Sequence, residues 1–150
     1  MKSGYQDIEQ SNAVSLSDNV CFALYTASNA LIRAYRPLLE QYDLTYPQYL
    51  VMQSLWFESE TSLTQLSKVT RLDMGTLTPI VQRLELKSLL KRCVDVNDER
   101  KKVISLTEEG LSMKQDALLL KQKLLDKMKM SADDIEQLRT LCLGMLLDLS

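Results

Sequence analysis

The 150-residue sequence predicts a mainly α-helical domain with one β-hairpin. Three observations carry that prediction. Glycine and proline are scarce, at four and three copies, so little interrupts helix propagation. Apolar residues recur at three- and four-residue spacing along most of the chain. Only one stretch, Cys93–Leu106, sets short apolar runs on either side of a polar turn, as a hairpin does. A chain of this length is expected to be one domain with its own core.

The elements follow in order. Residues 1–16 are polar and aperiodic and are expected to be a mobile arm; residues 17–150 form the domain. "SLSDNV" offers a helix start at Ser17 or Asp18. Val20, Leu24, Ala27, Leu31, Ala34 and Leu38 then recur at helical spacing, with Cys21, Tyr25, Ser28, Ile32 and Tyr35 as a second stripe beside them. Two apolar stripes demand burial over more than half the helix circumference, which points to a dimer. Pro37 is expected to perturb this helix near its end.

A second helix lies in "LTYPQYLVMQSLWFESE", with Thr45 as cap, Pro47 in the first turn and Leu50, Val51, Leu55 and Trp56 facing the core. "SLTQLSKVTRL" is a short third helix with Leu63, Leu66 and Val69 inward. "DMGTLTPIVQRLELKSLL" is a fourth, with Leu77, Ile80, Val81 and Leu84 on one face. In the hairpin, Cys93, Val94 and Val96 precede the turn at Asn97–Glu99, and Val103, Ile104 and Leu106 follow it. A long helix begins at Thr107, its start weakened by Gly110. A last one opens on Ser131 and Asp134, in a capping-box-like arrangement, and ends in the apolar tail Leu141–Leu149.

The net charge is −2, but its distribution is uneven. Leu63–Lys102 holds nine Lys/Arg and five Asp/Glu. A basic middle in an acidic chain is a candidate footprint for DNA. Helix, helix, short helix, helix and basic hairpin is the order of a winged helix-turn-helix, in which the fourth helix enters the major groove and the hairpin reaches the adjacent backbone. Residues 47–106 are assigned to this DNA-binding region. The flanking helices, 17–44 and 107–150, are too apolar to stand alone and are assigned to dimerisation.

Three cysteines without C-x-x-C spacing suit neither a disulfide framework nor a zinc site. The chain has no histidine, which excludes hydrolase triads built on one and removes the commonest metal ligand. No metal, cofactor or membrane partner is expected. With no secretion signal and no run of about 20 apolar residues, the expected location is the cytoplasm.

"DERKKVISLTEEG" resembles the wing signature of the MarR family, D-x-R followed by L-T and a long helix, here Asp98, Arg100, Leu106 and Thr107. "CFALYTASNALIRAYRPLLEQYDLTYPQYLVM" and "LDMGTLTPIVQRLE" resemble the organic-hydroperoxide sensors of that family, called OhrR. The resemblance spans nearly all of 17–150. It implies a homodimeric transcriptional repressor, not an enzyme, that binds a pseudo-palindromic double-stranded operator and leaves it when Cys21 is oxidised by an organic hydroperoxide. It further implies that Tyr35 and Tyr46 hydrogen-bond Cys21 from the other subunit and that Tyr25 lines the same pocket. In the DNA-binding part it assigns Asp73, Gly75, Thr76, Pro79 and Arg83 to the recognition helix, Asp73–Leu89, and Asp98 and Arg100 to the wing.

Three positions depart from the pattern. Met74 stands where the family has a small polar residue that touches DNA. Ser88 stands where it has glycine, with an effect expected only at the helix end. "TLTP" by itself would start a helix at Thr78; the resemblance starts it near Asp73, leaving Pro79 in the second turn.

The residues are physically compatible with a thiol site. Unpaired N–H groups and the helix dipole near Cys21 favour a thiolate. Tyr25 lies one turn on. Tyr35 lies fourteen residues on, about 21 Å along a helix axis, so it meets Cys21 only across a two-fold neighbour. Phe22, Leu24 and Ile32 would favour organic peroxides over hydrogen peroxide. Without the resemblance, Cys21 reads as an inert core cysteine. Cys93 on the wing reads as structural. Cys142, in the last helix, is the candidate resolving thiol, although the family's second cysteine usually falls earlier. Two rival functions stay open: a MarR-type repressor released by a small phenolic ligand, which an unreactive Cys21 would support, and a thiol peroxidase, which repeated turnover with a reductant would support.

Overall fold

The computed structural model describes residues 15–150. Of the expected N-terminal arm, residues 1–16, all but Ser15 and Leu16 lie outside the described residues, and Leu16 already opens a 3-10 turn, Leu16–Asp18. The elements then run α1 (Val20–Glu40), α2 (Tyr46–Phe57), β1 (Glu60–Ser62), α3 (Leu63–Thr70), α4 (Met74–Leu86), β2 (Leu90–Val94), β3 (Lys102–Leu106), α5 (Glu108–Ser112), α6 (Lys114–Lys127) and α7 (Ala132–Leu149). The fold is mainly helical with a small antiparallel sheet, as the sequence predicts.

Local chemistry sets most helix starts. Asn19, rather than Ser17 or Asp18, caps α1: its side chain accepts from the N–H groups of Cys21 and Phe22 at 2.8 and 3.3 Å. Thr45 and Gln48 form a reciprocal capping box on α2, with Pro47 in its first turn. Ser62, Asp73, Thr107 and Ser131 cap α3, α4, α5 and α7. Helix α1 continues through Pro37 to Glu40.

The core lies where α2, α3, α4, the sheet and α6 converge. Val51, Met52, Leu55, Leu66, Leu77, Leu84 and Ile104 are fully buried there. Tyr49 joins them, and its hydroxyl donates to the Ala117 carbonyl at 3.3 Å.

Several expectations are corrected. The sheet has three strands in the order β1-β3-β2, because Glu60–Ser62 pairs with Val103–Ser105; α2 therefore stops at Phe57. Val96 belongs to no strand and is 99% exposed at the tip of the hairpin. Val69 is exposed, not inward. The helix expected from Thr107 breaks at Met113 into α5 and α6. The recognition helix ends at Leu86, and Ser88 takes the left-handed conformation, φ 62°, so the departure from glycine does fall on the helix end.

Gly110 is required rather than tolerated. A Cβ there would stand 2.0 Å from the Leu89 carbonyl oxygen, and the Gly110 carbonyl accepts from Trp56 Nε1 at 2.9 Å. Replacement by alanine must push α5 off the end of the recognition-helix turn. Gly110→Ala is expected to lower unfolding stability by about 3 kcal/mol, the upper end for overpacking, measured by urea denaturation. A loss below about 0.5 kcal/mol, the range of neutral surface changes, would contradict this close packing.

Candidate DNA interface and thiol site

Helices α3 and α4 meet through a short turn whose geometry is fixed by side chains. Arg71 ends α3 in the left-handed conformation, φ 58°. Ser67 Oγ donates to the Leu72 carbonyl at 2.6 Å. Asp73 accepts from the Thr76 N–H at 2.6 Å, and these bonds from Thr76 hold its carboxyl below the usual carboxylate range. The expected DNA residue Asp73 is thus committed to capping the recognition helix.

Leu77, Val81 and Leu84 turn α4 toward the core, which leaves Met74, Gly75, Thr76, Pro79, Gln82 and Arg83 exposed. All the remaining expected recognition residues lie on this open face. Gln82 joins them without a sequence motif to mark it; its spacing of three from Pro79 and seven from Gly75 is the signal that places it on the same face. Met74 is 45% exposed at the first helical position, an apolar group suited to a thymine methyl. Gly75 meets only Asp73 Oδ1, at an ordinary 3.5 Å, so packing within the chain does not exclude a side chain there. Pro79 lacks the N–H that would pair the Gly75 carbonyl.

The wing is joined to this helix. Glu85 on α4 takes Arg92 of β2 in a two-pronged ion pair, Nη2–Oε1 2.9 Å and Nε–Oε2 3.1 Å, and also accepts the Arg92 N–H. The side-chain bonds from Arg92 lower the Glu85 carboxyl. Arg92 therefore serves architecture rather than the basic footprint. At the tip, Asp98 accepts from the N–H groups of Lys101, through its carbonyl, and of Arg100, through its carboxylate, both at 3.0 Å. It shapes the loop that presents the exposed Arg100. Neither Arg83 nor Arg100 forms an ion pair among the described residues.

The thiol site divides in two. Cys21 is the second residue of α1 and exposed, and Tyr25 is 68% exposed. At the other end of the same unbroken helix, Tyr35 is 7% exposed, and its ring centroid lies 5.0 Å from Tyr46 and 5.6 Å from Tyr49. Tyr49 continues the cluster to Trp56 at 6.2 Å. Burial first, then the neighbouring Tyr49 and Tyr46, pushes the Tyr35 phenol up to about 12. Burial also raises Tyr46. A cavity of about 260 Å³ opens beside this corner, lined by Ile32, Arg36, Leu39, Leu44, Thr45, Tyr46 and Pro47.

One chain therefore assembles Tyr35 and Tyr46 but holds Cys21 and Tyr25 apart from them. Cys93 is exposed on β2 opposite Val103. Cys142 is half-buried on α7. No group of three or more Cys, Asp or Glu among the described residues is placed to hold a metal ion. No described helix is long and apolar enough to cross a membrane.

Much of α1 and most of α7 lack intrachain cover. Val20, Phe22, Leu24 and Ile32 are exposed, so the expected stripes touch little of their own chain over the first turns. Helix α7 buries no residue although Leu138, Leu141, Leu143, Met145, Leu147 and Leu149 lie on it.

Comparison with known proteins agrees with this geometry. The sequence pattern of the family described as "Transcriptional regulator SarA/Rot" matches residues 33–117. The organic hydroperoxide resistance transcriptional regulator of Bacillus subtilis is 36% identical over 127 residues, 85% of this chain and 86% of that one. The chain belongs to the MarR family of winged-helix transcriptional regulators. A mutant MarR from E. coli complexed with operator DNA superposes with a TM-score of 0.73 at 25% identity, over 83% of this chain and 91% of that one. Reduced AbfR bound to DNA gives 0.78 at 28% identity, over 89% and 94%. The disulfide-formed state of AbfR gives 0.67 at 26%, over 94% and 98%.

The MarR-type site makes two outcomes measurable. Arg83→Ala and Arg100→Ala are each expected to weaken DNA binding and to make its salt dependence shallower by about 1 in log–log slope; unchanged slopes in both would remove them from the interface. The raised Tyr35 phenol favours the folded state most below its ordinary value of 10.0. That contribution is fully present below pH 10 and is lost as the pH rises through about 12. In an alkaline titration of tyrosinate absorbance, Tyr35→Phe should lose one tyrosine from the late step. An undiminished late step would place the raised phenol elsewhere.

Proposed function

We propose that this MarR-family protein is a homodimeric, redox-sensing repressor that releases its operator when an organic hydroperoxide oxidises Cys21. The observation that carries this reading is the split site: an exposed thiol at the start of α1, and two adjacent tilted phenols at the corner where α1 leads into α2, Tyr35 on α1 and Tyr46 on α2. Among the described residues the Tyr35 and Tyr46 hydroxyls make no hydrogen bond, whereas the Tyr49 hydroxyl is taken by Ala117 and Gln53. Antiparallel pairing of two α1 helices about a two-fold axis brings the Cys21 of one subunit to the Tyr35 and Tyr46 of the other. It also covers the apolar faces of α1 and α7.

The chemistry follows. The Cys21 thiolate attacks the outer peroxide oxygen; the O–O bond breaks, sulfur is oxidised to sulfenic acid, and the peroxide is reduced to an alcohol after taking a proton. Phenol hydrogen bonds to a charged sulfur are about twice as strong as those to a neutral acceptor, so oxidation loosens the site from both sides. Apolar neighbours such as Phe22 and Ile32, with the cavity beside Tyr46, suit an alkyl or aryl substituent on the peroxide. Cys142 is the thiol that could resolve the sulfenic acid, as a disulfide forms in AbfR. The exposed face of α4 reads the major groove, and Arg100 reaches the flanking backbone. The same cavity, with Arg36 at its edge, also supports a second reading, release by a small phenolic ligand without oxidation.

Cys21→Ser separates the two readings. A duplex selected from a random library by the reduced wild type serves as probe, and cumene hydroperoxide as oxidant. The variant is expected to bind the probe with unchanged affinity and to stay bound at a peroxide dose that releases the wild type, because a hydroxyl forms no sulfenic acid. Release of Cys21→Ser at the wild-type dose would reject Cys21 as the sensor.

A further inference from the structure

The corner that carries the phenols is tied to the recognition helix by one side chain. Lys87 is the first residue beyond α4. Its ammonium crosses to the α1–α2 corner and donates to the Asp43 carbonyl and to Gln48 Oε1, the latter at 3.2 Å, while standing 3.4 Å from the Asp43 carboxylate. None of these partners is incidental. Asp43 is in the left-handed conformation, φ 52°, which turns its carbonyl out of the helical path. Gln48 is 3% exposed, and the same Oε1 accepts the Thr45 N–H at 3.1 Å, so one oxygen holds both the cap of α2 and the ammonium. Tyr46 lies between them in sequence. A half-buried cation is costly to leave unpaired, and the negative end of α4 further favours it where it stands.

We propose that Lys87 is the positioning residue that carries the state of the Tyr35–Tyr46 corner to the recognition helix. The proposal rests on the redox reading given above. When the bonds from the two phenols to the partner thiolate weaken, the α1–α2 corner moves. Lys87 is anchored to that corner at two residues flanking Tyr46, so it draws the C-terminal end of α4 with it. The backbone contact of Leu89 with Gly110 keeps this end from sliding, so the motion becomes a tilt of the reading face. The wing follows, because Glu85 and Arg92 hold β2 to the same end of α4. Communication from thiol to DNA thus passes through one flexible side chain with fixed acceptors at its far end, in addition to the shared core.

The test measures the ratio of operator Kd for oxidised over reduced protein, using the library-selected duplex and cumene hydroperoxide, in wild type, Lys87→Met and Lys87→Arg. Thermal unfolding and the rate of Cys21 oxidation are followed in each. Methionine keeps the length and apolar stem but cannot donate; arginine can still donate to Asp43 and Gln48. In Lys87→Met the ratio is expected to fall about tenfold below wild type, within the range that coupling residues command, with Cys21 oxidised at the wild-type rate. Lys87→Arg should recover most of that ratio. A purely structural role would lower the melting temperature and weaken both states alike, leaving the ratio unchanged. A wild type that is released by peroxide, beside a Lys87→Met variant released to the same extent, would overturn the coupling and leave the redox reading standing. A wild type that peroxide does not release would overturn both.

Discussion

The packing of Gly110 against the Leu89 carbonyl is the constraint on which the rest of the molecule depends. Leu89 follows the recognition helix and leads into β2; Gly110 opens the path to the long C-terminal helices. The two backbones touch because position 110 has no Cβ, and Trp56 locks the contact by donating to the Gly110 carbonyl. Thr107 adds two bonds at the same place, its hydroxyl to the Ser88 carbonyl at 2.6 Å and its N–H to the Leu89 carbonyl at 3.2 Å. The DNA-reading half and the helices left uncovered by the single chain are therefore joined at a backbone contact that cannot slip.

Around it, the DNA-binding half behaves as one piece. The Asp73 cap sets where α4 begins, the Glu85–Arg92 pair fixes the wing to its far end, and Asp98 shapes the loop that carries Arg100. These three acids serve architecture. Of the acids in residues 63–102, Glu85 holds a basic side chain while Asp73 and Asp98 accept from backbone N–H groups.

The fold was legible because its signals are local. Thr45, Thr107 and Ser131 cap as their types suggest, and the apolar spacing of Leu77, Val81 and Leu84 identifies the inward face of α4, whose start at Asp73 comes from the resemblance against a local signal at Thr78. What escapes a reading of the sequence depends on distant partners. The strand Glu60–Ser62 has no apolar alternation and exists because β3 pairs with it. The break at Met113 has no glycine or proline to announce it. Gly110 looks like a weak helix start, whereas its role is set by a carbonyl twenty-one residues earlier in the sequence. The proposed thiol-site roles of Tyr35 and Tyr46 rest on family resemblance; helical spacing puts Tyr35 only on the stripe that carries Cys21. In the sequence Lys87 is merely one more positive charge, because its partners lie 44 and 39 positions away.

The buried phenols give the corner a further property. Tyr35, Tyr46 and Tyr49 are all pushed above their ordinary value, chiefly by burial, and the chain contains no histidine. None of these three phenols changes protonation anywhere near neutrality. A cell that acidifies under metabolic load leaves these hydroxyls as they were. The corner is deaf to acidity on that side, so under the redox reading proposed above a change in the bonds it makes there reports the sulfur and not the surrounding medium.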